Sequence, residues 1–227
     1  MNWNVTGSVD GSRVKVLLVD DHRMIVESFS ALLQLDDRFD VVGTAFSAEE
    51  GAELVRQLRP DVAVFDVDFP GQDSFDVVPQ LAKNSSSTSV MFLTGHLSDI
   101  FVSQAIRMGA RGYLLKEESA TAVRDAIYRV ARGEFAFSDS VRDRLIWNEE
   151  TQSYEVRSDS MLCGLSIQQL AILRHLARGE SVKQIAALLE RSEKSIDSHK
   201  YRIMHRLGIH DRVELARYAI REGLTLV

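Results

Sequence analysis

The chain has a single cysteine, Cys163, so an internal disulfide framework is excluded. No run of about 18 apolar residues occurs, which argues against a membrane-spanning helix. The opening residues, MNWNVTGSVDGSR, lack the apolar core of a signal peptide. No internal repeat is visible. These absences point to a reducing, cytoplasmic setting. What is present is ample material for packing: 45% of the 227 residues are hydrophobic, and the length suits two domains.

Charge is also unevenly spread. The net charge is −6, yet residues 161–227 hold 11 Lys+Arg against 7 Asp+Glu, a balance of +4 that leaves −10 for residues 1–160. An acidic front and a basic back suggest that the back part meets a polyanion.

Apolar, β-branched runs of strand length stand at 14–19 (VKVLLV), 41–45, 61–68, 89–95 and 111–116, separated by helical spacing at 24–35, 48–58, 76–82, 98–109 and 119–133. Continuous apolar strands alternating with amphipathic helices predict a parallel sheet covered on both faces. Five strands and five helices in about 120 residues match a flavodoxin-like α/β fold, which binds ligands at the carboxyl ends of its strands. Residues 1–12 read as a flexible leader and 13–133 as this first domain. Residues 134–162 read as a polar linker with one helix over 139–147. From Leu165 onward every signal is helical, which predicts a small all-α domain over 163–227.

The polar residues that end the strands carry the chemistry. Asp20 and Asp21 follow the first strand, Asp66 and Asp68 end the third, Thr94 ends the fourth and Lys116 the fifth. Taken singly, each Asp is better explained as a helix cap or a solvated turn acid. Gathered at one sheet edge, carboxylates that repel one another usually have a cation between them, and hard oxygen donors suit Mg²⁺. A hydroxyl and an ammonium beside such a cluster make a phosphoryl-binding pocket, where an Asp can act as nucleophile.

VDDH, FDVDFPG, LTG and GYLLK together resemble the signature of response-regulator receiver domains across roughly residues 14–132. The resemblance implies that Asp66 is the phosphoacceptor. It implies that Asp20, Asp21, Asp66 and the Asp68 backbone carbonyl hold Mg²⁺, and that Thr94 and Lys116 bind phosphoryl oxygens. Tyr113 matches the aromatic switch of that family, although a partly exposed strand aromatic would occupy the same position. Ser74 stands where the family usually has Gly. Asp68, a second acid two residues after Asp66, also suggests haloacid-dehalogenase-type phosphatases. Their Asp pair, however, ends the first strand, which here carries Asp20 and Asp21.

In the tail, VKQIAALL and EKSIDSHKYRIMHRL flank a short turn, the pattern of a helix-turn-helix. At about 100° per residue the second helix puts Ile196, Ile203 and Leu207 on one side. Lys194, Ser198, Tyr201 and His205 fall on the other, flanked by Arg202 and Arg206. A merely solvated helix would look the same. Residues 165–227 resemble the LuxR-type DNA-binding domain, through Leu165-Ser166, Gly179, Lys183, Ile185-Ala186, Leu189, Ser192, Ile196, His199, Leu207-Gly208, Arg212 and Glu214-Leu215. That resemblance implies DNA contacts by Lys183, Lys194, Ser198, Tyr201, Arg202 and Arg206. Gln169 and Asp197 depart from the family, which commonly has Glu and Lys there. The last helix carries an apolar stripe at Leu215, Ala219 and Ile220; relatives dimerise through it, and packing on its own domain also explains part of it. The expected protein is therefore a regulator without turnover chemistry. It takes phosphoryl from a histidine kinase, needs Mg²⁺, and binds double-stranded DNA as a homodimer. The alternatives are a phosphatase using Asp66 and Asp68, or an adaptor that no longer binds DNA.

Overall fold

The computed structural model describes residues 12–67, 69, 74–75, 77–78 and 87–224. The chain forms two compact units whose boundary falls between Val156 and Arg157, with residues 98–104 grouped with the second.

In chain order the first 156 residues give β1 (Val14–Val19), α1 (Arg23–Gln34), β2 (Phe39–Ala45), α2 (Ala48–Leu58), β3 (Val62–Phe65), β4 (Ser89–Thr94), α3 (Asp99–Arg107), β5 (Gly112–Leu115) and α4 (Ala120–Ala131). The short β6 (Ala136–Phe137), α5 (Asp139–Arg142), β7 (Leu145–Asn148) and β8 (Ser153–Val156) follow. The first six strands form one parallel sheet in the order β2-β1-β3-β4-β5-β6. Every residue of β3, β4 and β5 is buried, as expected of strands covered on both faces. Ser47 and Ser119 cap α2 and α4 by accepting the Glu50 and Ala122 amides at 3.2 and 3.1 Å.

One core layer joins Val16, Leu18 and Val64 of the sheet to Leu33 of α1 and Ile127 of α4. On β4 and β5, the Phe92 ring lies 5.0 Å from Phe75 and 6.2 Å from Tyr113. Helix α2 closes on β1 and β3 at Gly51. A Cβ there would stand 2.6 Å from Val19 Cγ1 and 3.0 Å from Phe65 Cε1. Gly51→Val is therefore expected to lower unfolding free energy by about 2 kcal/mol or more through overpacking. Urea unfolding of the whole chain measures it; an unchanged midpoint would show that α2 can lift away freely.

The structure adds to and corrects the sequence reading after the fifth strand. β6 pairs with β5 as a sixth strand. The helix expected over 139–147 ends at Arg142, and residues 145–148 are strand. They pair antiparallel with 153–156, so the segment read as polar linker contains a hairpin. Its turn is held by Asn148 Oδ1, which accepts the amides of Glu150 and Thr151 at 2.9 and 3.1 Å. Tyr154 packs edge-on against Phe135, Phe137 and Trp147. The helix expected over 76–82 lies mostly outside the described residues. The third strand, expected to reach Asp68, stops at Phe65.

The second unit contains a 3₁₀ turn (Met161–Gly164), α6 (Ile167–Ala177), α7 (Val182–Leu188), α8 (Glu193–Leu207) and α9 (Arg212–Arg221). Two capping boxes start α6 and α7: Ser166 with Gln169, and Ser181 with Gln184. Gln169 closes its box by accepting the Ser166 amide at 2.9 Å. Gly179 and Gly208, at φ 89° and 66°, supply left-handed backbone that ends α6 and α8. Arg212 donates to the Glu180 carbonyl at 2.5 Å, which ties the start of α9 to the turn before α7. Leu215 and Ala219 are buried, whereas Ile220 and Val213 are exposed. Of the stripe read on this helix, only its outer margin is open.

Candidate functional site

The sheet order explains where the acids meet. From β1 the chain crosses to β2 on one side and then to β3 on the other, so β1 and β3 are neighbours whose connections diverge. At such a switch point the carboxyl ends of the strands open into a crevice. Asp20 and Asp21 leave β1 there and Asp66 leaves β3.

The geometry is tight. Ligand atoms of Asp20, Asp21, His22 and Asp66 all lie within 4.8 Å of one another. Lys116, just beyond β5, places Nζ 2.7 Å from Asp20 Oδ2 and 2.7 Å from Asp66 Oδ2. Both of these carboxylates are buried. The other Asp66 oxygen, Oδ1, accepts the Val67 amide at 2.7 Å. Burial pushes the Asp66 carboxyl up to about 6, against the lowering effect of Lys116 and with a further push from Asp20. Burial alone would lower the Lys116 ammonium, but its bonds to Asp20 and Asp66 outweigh burial and hold it above its ordinary value.

A cation fits this cluster by its donor set and by one orphaned atom. Asp21 Oδ1 is covered and accepts no hydrogen bond, with the His22 imidazole Nδ1 2.9 Å away. Three carboxylates with an unspent buried oxygen make an acidic cluster consistent with a metal site. Asp68, whose carbonyl was expected to join them, lies outside the described residues.

Thr94 is fully buried at the end of β4, and its Oγ1 accepts the His96 amide at 3.2 Å. Tyr113 is also fully buried, so the partly exposed aromatic considered from sequence is not what stands there. Its hydroxyl donates to the His96 carbonyl at 3.1 Å. The backbone of one residue thus connects Thr94 to Tyr113. The sequence reading gave no role to His22, or to the Ser74 hydroxyl, which donates to the Asp66 carbonyl. The only signal for Ser74 was a departure from the family residue.

On the second unit, α8 buries Ile196, Ile203 and Leu207, the three residues that periodicity put inside. Lys194, Ser198, Tyr201, Arg202 and Arg206 are exposed on α8, and Lys183 is exposed on α7. Tyr201 is 71% exposed, with its ring 6.4 Å from that of His205. At about 1.5 Å per residue, Lys194 to Arg206 spans roughly 18 Å, more than the width of a major groove. Arg206 lies against Gly164, where a Cβ would stand 2.6 Å from its Nη2. Asp197 pairs with Lys200 at 2.5 Å on the same helix, so a cation left aside in the sequence reading is partly neutralised.

A doubly wound sheet with this acidic crevice, joined to a helix-turn-helix unit, defines the class of receiver-controlled transcription regulators. Two family models match: the response regulator receiver domain over residues 16–128, and the bacterial regulatory proteins of the luxR family over 164–219. The nitrate/nitrite response regulator protein homolog of Haemophilus influenzae is 33% identical over 88% of this chain and 93% of its own. The solved receiver domain of the putative response regulator NarL from Mycobacterium tuberculosis is 32% identical, with a TM-score of 0.52. It covers 54% of this chain and 99% of that one. RcsB from Salmonella enterica serovar Typhimurium, solved on a promoter, shares the fold at TM-score 0.68 and 23% identity, covering 91% of this chain and 98% of that one. The chain belongs to the response regulators with an N-terminal receiver and a C-terminal LuxR-type helix-turn-helix domain. It is a DNA-binding transcriptional regulator and not an enzyme beyond receiver phosphochemistry, which displaces the phosphatase and adaptor alternatives. Among the described residues no helix is long and apolar enough to cross a membrane.

Proposed function

We propose that Asp66 accepts a phosphoryl group from a histidine kinase and that this modification controls DNA binding by α8. The observation that supports it best is the Asp66 carboxylate, buried at the switch point and gripped by Lys116 beside Asp20 and Asp21. The receiver is assigned to residues 13–133 and the DNA-binding domain to 163–227, in a cytoplasmic protein. Residues 134–162 follow the receiver in sequence, and of these β6 joins its sheet.

Asp20, Asp21 and Asp66 would hold Mg²⁺, with the Asp68 carbonyl as a further donor. When bound, the ion neutralises charge on the transferring oxygens. An Asp66 oxygen forms a bond to phosphorus while the phosphorus–nitrogen bond of the phosphohistidine breaks, and its electron pair leaves with the imidazole. Lys116 then turns from the carboxylates to a phosphoryl oxygen. The Thr94 hydroxyl leaves the His96 amide and donates to another. Tyr113, bonded to the same His96 backbone, is the switch that passes this change outward.

On DNA, two chains would bind paired half-sites as a homodimer. Lys183, Lys194, Arg202 and Arg206 supply phosphate contacts, while Ser198 and Tyr201 face base edges. Lys194→Ala and Arg202→Ala are expected to weaken operator and random duplexes alike and to reduce the salt slope by about one unit each. Ser198→Ala and Tyr201→Ala should instead narrow the gap between operator and random DNA. Asp197→Lys should raise random-duplex affinity and steepen its salt dependence, since it removes an anion and releases Lys200. Binding isotherms at several salt concentrations test all five. If none of them changes, α8 is not the reading helix.

A further inference from the structure

We infer that Ser74 is a positioning residue for the phosphoacceptor, acting through the peptide group between Asp66 and Val67; the inference rests on Asp66 being the modified residue. The peptide group is held at both ends. Its N–H, from Val67, donates to Asp66 Oδ1 at 2.7 Å. Its C=O, from Asp66, accepts the Ser74 hydroxyl. The Ser74 amide also points to the Val67 carbonyl, at 3.4 Å.

A peptide group is planar, so its N–H and C=O turn together. Rotation that freed the carbonyl from Ser74 would swing the Val67 N–H away from Oδ1. With Lys116 on Oδ2 and Val67 on Oδ1, the carboxylate is gripped by both oxygens, and its rotamer is set before any donor arrives. The hydroxyl also polarises the peptide, so accepting a bond at the carbonyl strengthens donation at the amide. Ser74 has no exposed surface, and water is not on hand to take over its role. Its hydroxyl is bonded to the Asp66 carbonyl and not to the carboxylate. It acts through the peptide, and a glycine at this position could not supply the hydroxyl.

This grip bears directly on phosphoryl transfer. With acetyl phosphate as donor, an Asp66 oxygen bonds to phosphorus and the phosphorus–oxygen bond to the acetyl group breaks, releasing acetate with that electron pair. A carboxylate that wanders presents its attacking oxygen less often, and the rate falls by the fraction lost.

The test uses the full chain, acetyl phosphate, saturating Mg²⁺, and Ser74→Ala, Ser74→Gly and Ser74→Thr. Ser74→Ala and Ser74→Gly are expected to be labelled about tenfold more slowly than wild type, and Ser74→Thr, which keeps the hydroxyl, within about twofold of it. A second readout is independent of labelling. Hydrogen exchange at the Val67 amide should quicken about tenfold in Ser74→Ala, while the β3 amides of Val64 and Phe65 keep their protection. Equal labelling and equal Val67 exchange in Ser74→Ala and wild type overturn the proposal. Exchange that quickens equally at Val64, Phe65 and Val67 also overturns it, because that is general loosening. Should wild type and Asp66→Asn label alike, the assignment of Asp66 fails instead, and Val67 exchange still reports whether Ser74 holds the peptide.

Discussion

Asp66→Asn is expected to abolish phosphoryl labelling and, in cation-free buffer near neutral pH, to make the protein more stable than wild type. The first effect follows because an amide offers no carboxylate oxygen to attack phosphorus. Wild type should take up one acid-stable, base-labile phosphoryl group from a small phosphodonor, and the variant none. The second follows from burial. The Asp66 carboxyl is pushed from 3.8 up to about 6 in the folded chain. Between these values the folded state binds more protons than the unfolded state, so stability falls as pH rises through that window. Stability associated with this group is fully present below about pH 4 and is lost once the pH passes about 6. A rise of that size corresponds to about 3 kcal/mol at most. The neutral asparagine avoids that cost, so the variant should lead at about pH 8 and lose its lead near pH 4. Urea titrations across that range in chelator decide it. A wild type whose stability does not fall relative to the variant would contradict the burial argument.

Lys116→Met is expected to have the other large effect, in the opposite sense. Nζ is the partner of two buried carboxylates at 2.7 Å each. Removing one member of a buried charge cluster typically costs about 3–5 kcal/mol, because the charges left behind have lost their solvent as well as their partner. Asp66 would then protonate more readily, and the fall in stability with pH should extend further to the alkaline side. A divalent cation should recover part of the loss, since it too neutralises Asp20 and Asp66. Thermal unfolding with and without Mg²⁺ measures both effects. A variant as stable as wild type in chelator would mean that the acids relax into water, contrary to their burial.

The receiver pocket was legible because a parallel sheet delivers strand ends to one edge. Asp20, Asp21, Asp66, Thr94 and Lys116 needed only strand order to be brought together. The buried and polar faces of α8 were legible for a similar reason: a 15-residue helix gives periodicity enough turns to separate Ile196, Ile203 and Leu207 from the polar side. The hairpin at 145–156 was not, since each strand has four residues and neither face is fully buried. Without a buried face there is no clean alternation to read, and Asn148 forms its turn through a side-chain bond. β6 is two residues long, below any pattern. The bond made by Ser74 was not legible for a different reason. Its hydroxyl meets a carbonyl eight residues away, and that meeting depends on tertiary placement, which periodicity does not describe.

The His96 backbone has one further consequence. Its amide is bonded to Thr94 and its carbonyl to Tyr113, so both bonds rest on the backbone of one residue. Coupling free energy between two sites is symmetric. If phosphorylation displaces the Tyr113 hydroxyl, then a residue at 113 that cannot make the bond must raise the pocket's affinity for a phosphoryl mimic by the same factor. The Tyr113 hydroxyl would then act as a thermodynamic load on the pocket. A substitution such as Tyr113→Phe can retune phosphoryl occupancy without touching a single group that contacts phosphorus.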